Sequence, residues 1–266
     1  MSAIDETFQS LRQADRKAFI PFVTAGDPDL EFTADILPRL ADAGAAICEV
    51  GIPYSDPIAD GPVIQASYTR ALDRKIKLNE IIDMLARATP RTSCPVVTMV
   101  SYAIVHRYGA RQFVADVKSA GVAGAIVPDL LVDEAEEFKQ ICDAADFSLI
   151  QLVSPATPRD RAVRIAANSS GFLYYVSVMG ITGERRELPP QLLEDVSWLR
   201  SRAQLPVCIG FGISTAEHVR QLAPVADGLI VGSAIVRRVE ALADRPREEC
   251  LGQLSDYVRE MVAAFG

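Results

Sequence analysis

Ala45-Ala46-Ile47-Cys48-Glu49-Val50-Gly51-Ile52-Pro53-Tyr54-Ser55-Asp56-Pro57-Ile58-Ala59-Asp60-Gly61-Pro62 starts as an apolar, strand-like run carrying one carboxylate near its end. It passes into a loop punctuated by proline and glycine, and an amphipathic stretch over Ile64–Asp73 follows. This is one strand–loop–helix unit. A strand apolar on both faces needs cover on both sides, the condition of a parallel sheet wrapped in helices.

Working outward, the same unit recurs along the chain. Strand candidates are Phe19–Thr24, Ala46–Val50, Val96–Val100, Ala125–Val127, Ser148–Val153, Leu173–Ser177, Val207–Ile209 and Leu229–Val231. Helical periodicity fits Leu30–Ala43, Ile64–Asp73, Leu78–Ala88, Gln112–Ala120, Glu134–Ala145, Arg159–Ala167, Pro190–Arg202, Ala216–Leu222, Ser233–Leu242 and Glu248–Ala264, with an extra helix over Glu6–Gln13 ahead of the first strand. Eight such units predict a (βα)8 TIM barrel of the α/β class. An open doubly wound sheet is the competing architecture, disfavoured because no Gly-x-Gly-x-x-Gly follows the first strand. No linker or change of composition divides residues 1–266, so a single barrel domain is expected.

The chain has 266 residues, 49% of them hydrophobic, enough for one large core. A formal net charge of −8 argues against a sequence-independent hold on nucleic acid or on an anionic membrane, both of which need clustered Lys and Arg. The amino terminus has neither a basic segment nor an apolar core of a signal peptide, and no run of about 18 apolar residues occurs, so a cytoplasmic protein is expected. Cysteines 48, 94, 142, 208 and 250 form no Cys-x-x-Cys pair and read as buried free thiols. The two histidines, His106 and His218, fall in separate helical segments, which argues against a zinc site.

Barrel enzymes carry their chemistry on the loops after the strands. Glu49, near the carboxyl end of a buried strand, is expected to be desolvated, its pKa raised toward neutrality and suited to proton transfer. Asp60, in the loop, is expected to be better hydrated and to stay charged. Met179–Pro189 after the sixth strand has the polar, glycine-containing composition of a mobile lid. Gly210-Phe211-Gly212-Ile213-Ser214 and Gly232-Ser233-Ala234-Ile235 follow strands seven and eight, where barrels commonly cradle a phosphate on backbone N–H groups and a helix amino terminus. The five lysines, at 17, 75, 77, 118 and 139, all lie away from the carboxyl ends of the strands, so a Schiff-base aldolase has no candidate nucleophile. Clustered histidines for a metal-dependent aldolase are missing too. The residues leave metal-free acid/base chemistry on a phosphorylated substrate: a C–C cleavage, an isomerisation or an epimerisation.

Pro21–Pro28, Glu49–Gln65, Val127-Pro128-Asp129-Leu130, Gly180-Ile181-Thr182-Gly183, Gly210–Ser214 and Val231–Val236, in that order over nearly the whole chain, closely resemble the tryptophan synthase α-subunit family. The resemblance implies a retro-aldol cleavage of indole-3-glycerol phosphate to indole and glyceraldehyde 3-phosphate. Glu49 would be the acid/base at indole C3 and the glycerol hydroxyl, and Asp60 would hold the indole N–H. Phe22, Val100, Tyr174 and Phe211 would wall the pocket. Gly183, Gly212, Gly232 and Ser233 would cradle the phosphate, and Thr182 would be the lid residue that meets Asp60. The family works with a pyridoxal-phosphate β subunit in an α2β2 complex, so no cofactor is expected in this chain; Pro53, Asp56 and the lid would touch that partner. The family often has Tyr-x-Asn where this chain has Tyr102-Ala103-Ile104, which puts the polarity of that contact in doubt. A free-standing indole-releasing lyase and a non-catalytic activator of the β subunit are the alternatives.

Overall fold

The computed structural model describes residues 2–57, 60–176, 190–210, 212–242 and 244–266, with Pro190 described in its backbone only. Its strands are β1 (Ala18–Thr24), β2 (Cys48–Gly51), β3 (Val96–Met99), β4 (Val122–Ile126), β5 (Ser148–Ile150), β6 (Leu152–Val153), β7 (Leu173–Val176), β8 (Val207–Gly210) and β9 (Gly228–Val231). They form one parallel sheet in the order β5-β4-β3-β2-β1-β9-β8-β7-β6. β5 and β6 are two pieces of the run expected at Ser148–Val153, separated at the buried Gln151, whose carbonyl accepts from Tyr174 N at 3.1 Å. The two ends of the sheet therefore meet in one stretch of chain, and the sheet is the eight-unit barrel expected.

Side chains alternate across the strands as a barrel requires. On β1, Ala18, Ile20 and Phe22 join an inner cluster with Val97, Met99, Ile126, Ile150, Tyr174, Cys208 and Ile230. Phe19 and Val23 join the larger layer between strands and helices. The amino-terminal helix, Ala3–Gln13, starts earlier than its periodicity suggests because Ser2 and Asp5 form a capping box. Its Ile4 and Phe8 are buried in the inner cluster, Phe8 lying 5.9 Å from the Phe172 ring. This helix closes the amino-terminal end of the barrel with apolar side chains, leaving polar groups to the other end.

Several boundaries differ from the sequence reading. β4 begins at Val122 rather than Ala125, because pairing of Val122 and Gly124 with β3 carries the strand through Ala123 and Gly124, residues of weak strand propensity. The helical segment expected around His106 is the seven-residue helix Tyr102–Tyr108, whose bounds periodicity did not give; Ser101 caps it, Asp129 accepts from Tyr102 N at 2.7 Å, and the helix stops at Gly109, whose φ is +96°. All five cysteines are free; Cys94 is half-buried just ahead of β3, its Sγ 3.6 Å from that of Cys48. His106 and His218 lie in separate helices, Tyr102–Tyr108 and Ala216–Leu222, as expected. Among the described residues no helix is long and apolar enough to cross a membrane.

Candidate active site

The register Phe22↔Glu49 and Glu49↔Val97 puts Glu49 on the inner face of the barrel. Glu49 is fully buried, and neither carboxyl oxygen has a hydrogen-bond partner among the described residues. Burial, with the nearby charge of Asp60 adding to it, pushes its pKa up to about 8. A carboxyl group in this state holds its proton at neutral pH and can deliver it.

Asp60 is half-buried, against the full burial of Glu49. Asp60 N donates to the Pro57 carbonyl at 3.0 Å, and the Gln65 side chain donates to the carbonyls of Asp60 and Pro57 at 2.7 and 3.2 Å. Its Oδ2 is buried without a partner among the described residues, and burial raises its pKa to about 6. Asp60 thus stays less buried than Glu49 and ionises at lower pH, in the order expected, although burial lifts it above an ordinary carboxylate.

Aromatic side chains line the space beside the two acids. A Cβ built on Gly51 would fall 2.5 Å from Phe22 Cζ and 2.7 Å from Tyr68 Oη, so the glycine is what admits both rings. One built on Gly210 would collide with the Tyr174 ring, 2.6 Å from its Cζ. Tyr54 packs on Tyr68 with ring centroids 5.6 Å apart. Gly51→Ala is therefore expected to cost about 1–3 kcal/mol of stability by overpacking, read from urea unfolding, and to lower activity by displacing Phe22 and Tyr68.

The phosphate-type elements lie at the carboxyl ends of β8 and β9. Gly212 has φ +75°, a backbone open to glycine, and Gly232 caps the helix Ser233–Ala241. A Cβ on Gly232 would be 3.6 Å from Phe22 Cβ, so the helix amino terminus borders the same pocket. Phe22, Glu49, Tyr174 and Gly232 are thereby brought to one place. Val100 is not grouped with them: it is fully buried in the strand–helix layer, behind β3. Asp56 is exposed and accepts from Ser55 Oγ at 2.6 Å, whereas Pro53 is buried and Ile104 is half-buried against the outer layer. Ile58, Ala59, Phe211, Thr182, Gly183, Arg185, Arg186 and the rest of Met179–Pro189 lie outside the described residues.

Two features escaped the sequence reading. Asp27, buried in the turn after β1, accepts from Arg70 Nε and Nη2 at 2.9 and 2.7 Å. Tyr68, on the helix Pro62–Asp73, faces the barrel interior. The signal for Tyr68 was present as the buried Ile64–Tyr68–Ala71 spacing of an inward helix face.

A closed barrel with two acids at its mouth, one raised by burial and by the charge of the other, aromatic walls and a glycine-capped helix end is an α/β-barrel enzyme equipped for proton transfer on an aromatic, anionic substrate. Residues 8–265 match the family model described as tryptophan synthase alpha chain. The chain belongs to that family. It is 56% identical over 250 residues to the tryptophan synthase alpha chain of Rhodopirellula baltica, covering 93% of this chain and 90% of that one. It is 45% identical to the Caldanaerobacter subterraneus alpha chain, covering 97% of each. Among solved structures, tryptophan synthase subunit alpha from Legionella pneumophila superposes with a TM-score of 0.90 at 32% identity over 99% of both chains.

Proposed function

We propose that this chain, as a single barrel domain, cleaves indole-3-glycerol phosphate to indole and glyceraldehyde 3-phosphate, the lyase half-reaction of tryptophan synthesis. The observation that carries the reading is Glu49: a fully buried carboxyl group beside Asp60, with a pKa of about 8, in a chain of this family.

Protonated Glu49 delivers its proton to indole C3, and positive charge develops on the ring. Ionised Asp60 accepts the indole N–H and stabilises that charge. Glu49, now a carboxylate, takes the proton of the hydroxyl on the carbon attached to indole; the electron pair of that O–H bond forms the aldehyde C=O as the C–C bond breaks and its pair returns to the ring. Glu49 ends protonated, so the cycle needs no outside acid. Phe22, Tyr174 and Phe211 wall the aromatic ring, with Val100 behind them in the strand–helix layer. Gly183, Gly212, Gly232 and Ser233 hold the phosphate, and Thr182 meets Asp60 from the lid.

The chain itself supplies all the groups this sequence of steps uses, so pyridoxal phosphate belongs to the partner β subunit, which receives the indole within an α2β2 complex. Exposed Asp56, with Pro53 and the lid, contributes to that contact. The biosynthetic role places the protein in the cytoplasm. Purified chain mixed with indole-3-glycerol phosphate is expected to release indole, faster when β subunit is added. Absence of indole under both conditions would remove the proposal; a rate indifferent to the β subunit would favour a free-standing lyase.

A further inference from the structure

Tyr68 is 1% exposed, and its hydroxyl has no hydrogen-bond partner among the described residues. A buried hydroxyl in that state is costly to the fold. The ring is nevertheless held firmly in place. On one side Thr24 Oγ1 and Ser67 Oγ are 2.7 Å apart; on the other, Arg70 grips Asp27 through two hydrogen bonds. Tyr54 packs against its face. Residues 67 and 70 thus pin the helix to the loop after β1 on either side of Tyr68, and the phenol points into the inner cluster beside Phe22 and Tyr174.

The position of the hydroxyl along the pocket follows from Phe22. The Cβ of Phe22 lies against Gly232, at the helix end read as the phosphate cradle, and its Cζ lies against Gly51, where Tyr68 Oη also lies. Tyr68 Oη therefore lies toward the opposite end of the Phe22 side chain from the phosphate end. It is also within electrostatic reach of both acids, whose charges, after burial itself, hold the phenol well above its usual pKa and keep it a donor. Between a phosphate at Gly232 and an indole at Asp60 the substrate runs through a three-carbon chain with two hydroxyls. Glu49 serves the one next to indole. The other, next to the phosphate-bearing carbon, has no partner in the mechanism above.

We propose that the Tyr68 hydroxyl donates a hydrogen bond to that second hydroxyl, making Tyr68 a residue that determines specificity for the glycerol chain. The assignment rests on the placement of the phosphate and of the acids given under the proposed function. Its test compares two substrates and two proteins, all with β subunit present: indole-3-glycerol phosphate and the analogue with hydrogen in place of that hydroxyl, each with wild type and Tyr68→Phe. Wild type is expected to favour the natural substrate roughly tenfold in kcat/KM, the scale of one net hydrogen bond. Tyr68→Phe is expected to lose roughly tenfold on the natural substrate and to cease discriminating, with a Tm equal to or above that of wild type because a buried unpaired hydroxyl is gone.

A wild type indifferent to the missing hydroxyl overturns the proposal, and that result needs no variant. So does a Tyr68→Phe protein that still discriminates as wild type does. Glu49→Gln measured in parallel separates the two levels. Lost turnover in Glu49→Gln with discrimination preserved in Tyr68→Phe overturns the Tyr68 assignment alone; retained turnover in Glu49→Gln overturns both.

Discussion

Glu49→Gln is expected to lower indole formation by about 10²–10⁴, the usual contribution of a positioned acid/base group. Glutamine matches glutamate in size and fits the same buried position on β2, so the loss reports the proton and not the packing. Glu49 is called on twice, first as acid and then as base, and glutamine can do neither. The pH dependence carries the same argument. Asp60 ionises near 6 and Glu49 near 8, so between these values the pair has a charged Asp60 and a protonated Glu49. The profile of kcat/KM is expected to be bell-shaped, with its acid limb near pH 6 as Asp60 becomes protonated and its alkaline limb near pH 8 as Glu49 loses its proton. Asp60→Asn should remove the acid limb and move the alkaline limb downward, because the Asp60 charge is one of the two causes raising Glu49. A flat profile in wild type, or wild-type turnover in Glu49→Gln, would refute the assignment.

The same Glu49→Gln change is expected to stabilise the protein, and increasingly so as pH rises. Glu49 has an ordinary pKa near 4.5 when unfolded and about 8 when folded. Below 4.5 both states hold the proton and burial of the acid adds no pH dependence. Between 4.5 and 8 the folded state keeps a proton that the unfolded chain releases, so wild-type stability falls as pH rises through this window. Asp60, raised from 3.8 to about 6, acts with the same sign over a lower and narrower range. Glutamine does not titrate. The stability difference between Glu49→Gln and wild type should therefore widen by about 2–4 kcal/mol from pH 4 to pH 8, read as the change in urea unfolding free energy. Comparing two pH values cancels the fixed cost of burying an amide. A constant difference would show that Glu49 keeps its proton no more tightly in the folded state than in the unfolded one. Taken together, the two expectations describe an acid whose burial costs stability and supplies the proton the reaction uses.

The repeated unit was legible because a doubly covered strand must be apolar along its length and its covering helix must be apolar on one face. Glu49 was legible for the same reason: a carboxylate near the end of such a strand is taken out of water on whichever face it lies. The order of the two acids was legible as well, but the burial of Asp60 Oδ2 was not, since it goes with contacts such as those Gln65 makes to the Pro57 and Asp60 carbonyls. The bounds of the short helix Tyr102–Tyr108 were hidden because its start is fixed by Asp129, more than twenty residues away. The inward turn of Tyr68 and the outward placement of Val100 are likewise products of packing, which a one-dimensional pattern of apolar residues cannot separate.

By itself the amino-acid sequence determined the barrel, the loops that carry chemistry, and the family to which those loops belong, because each depends on short-range periodicity and on residue types in a fixed order. Tertiary structure alone decided how far each of the two acids is raised, the aromatic packing over Gly51 and Gly210, and the aim of the Tyr68 hydroxyl. These depend on how much water is excluded and on which atoms from distant parts of the chain come within a few ångströms, quantities that exist only once the strands have closed into a ring.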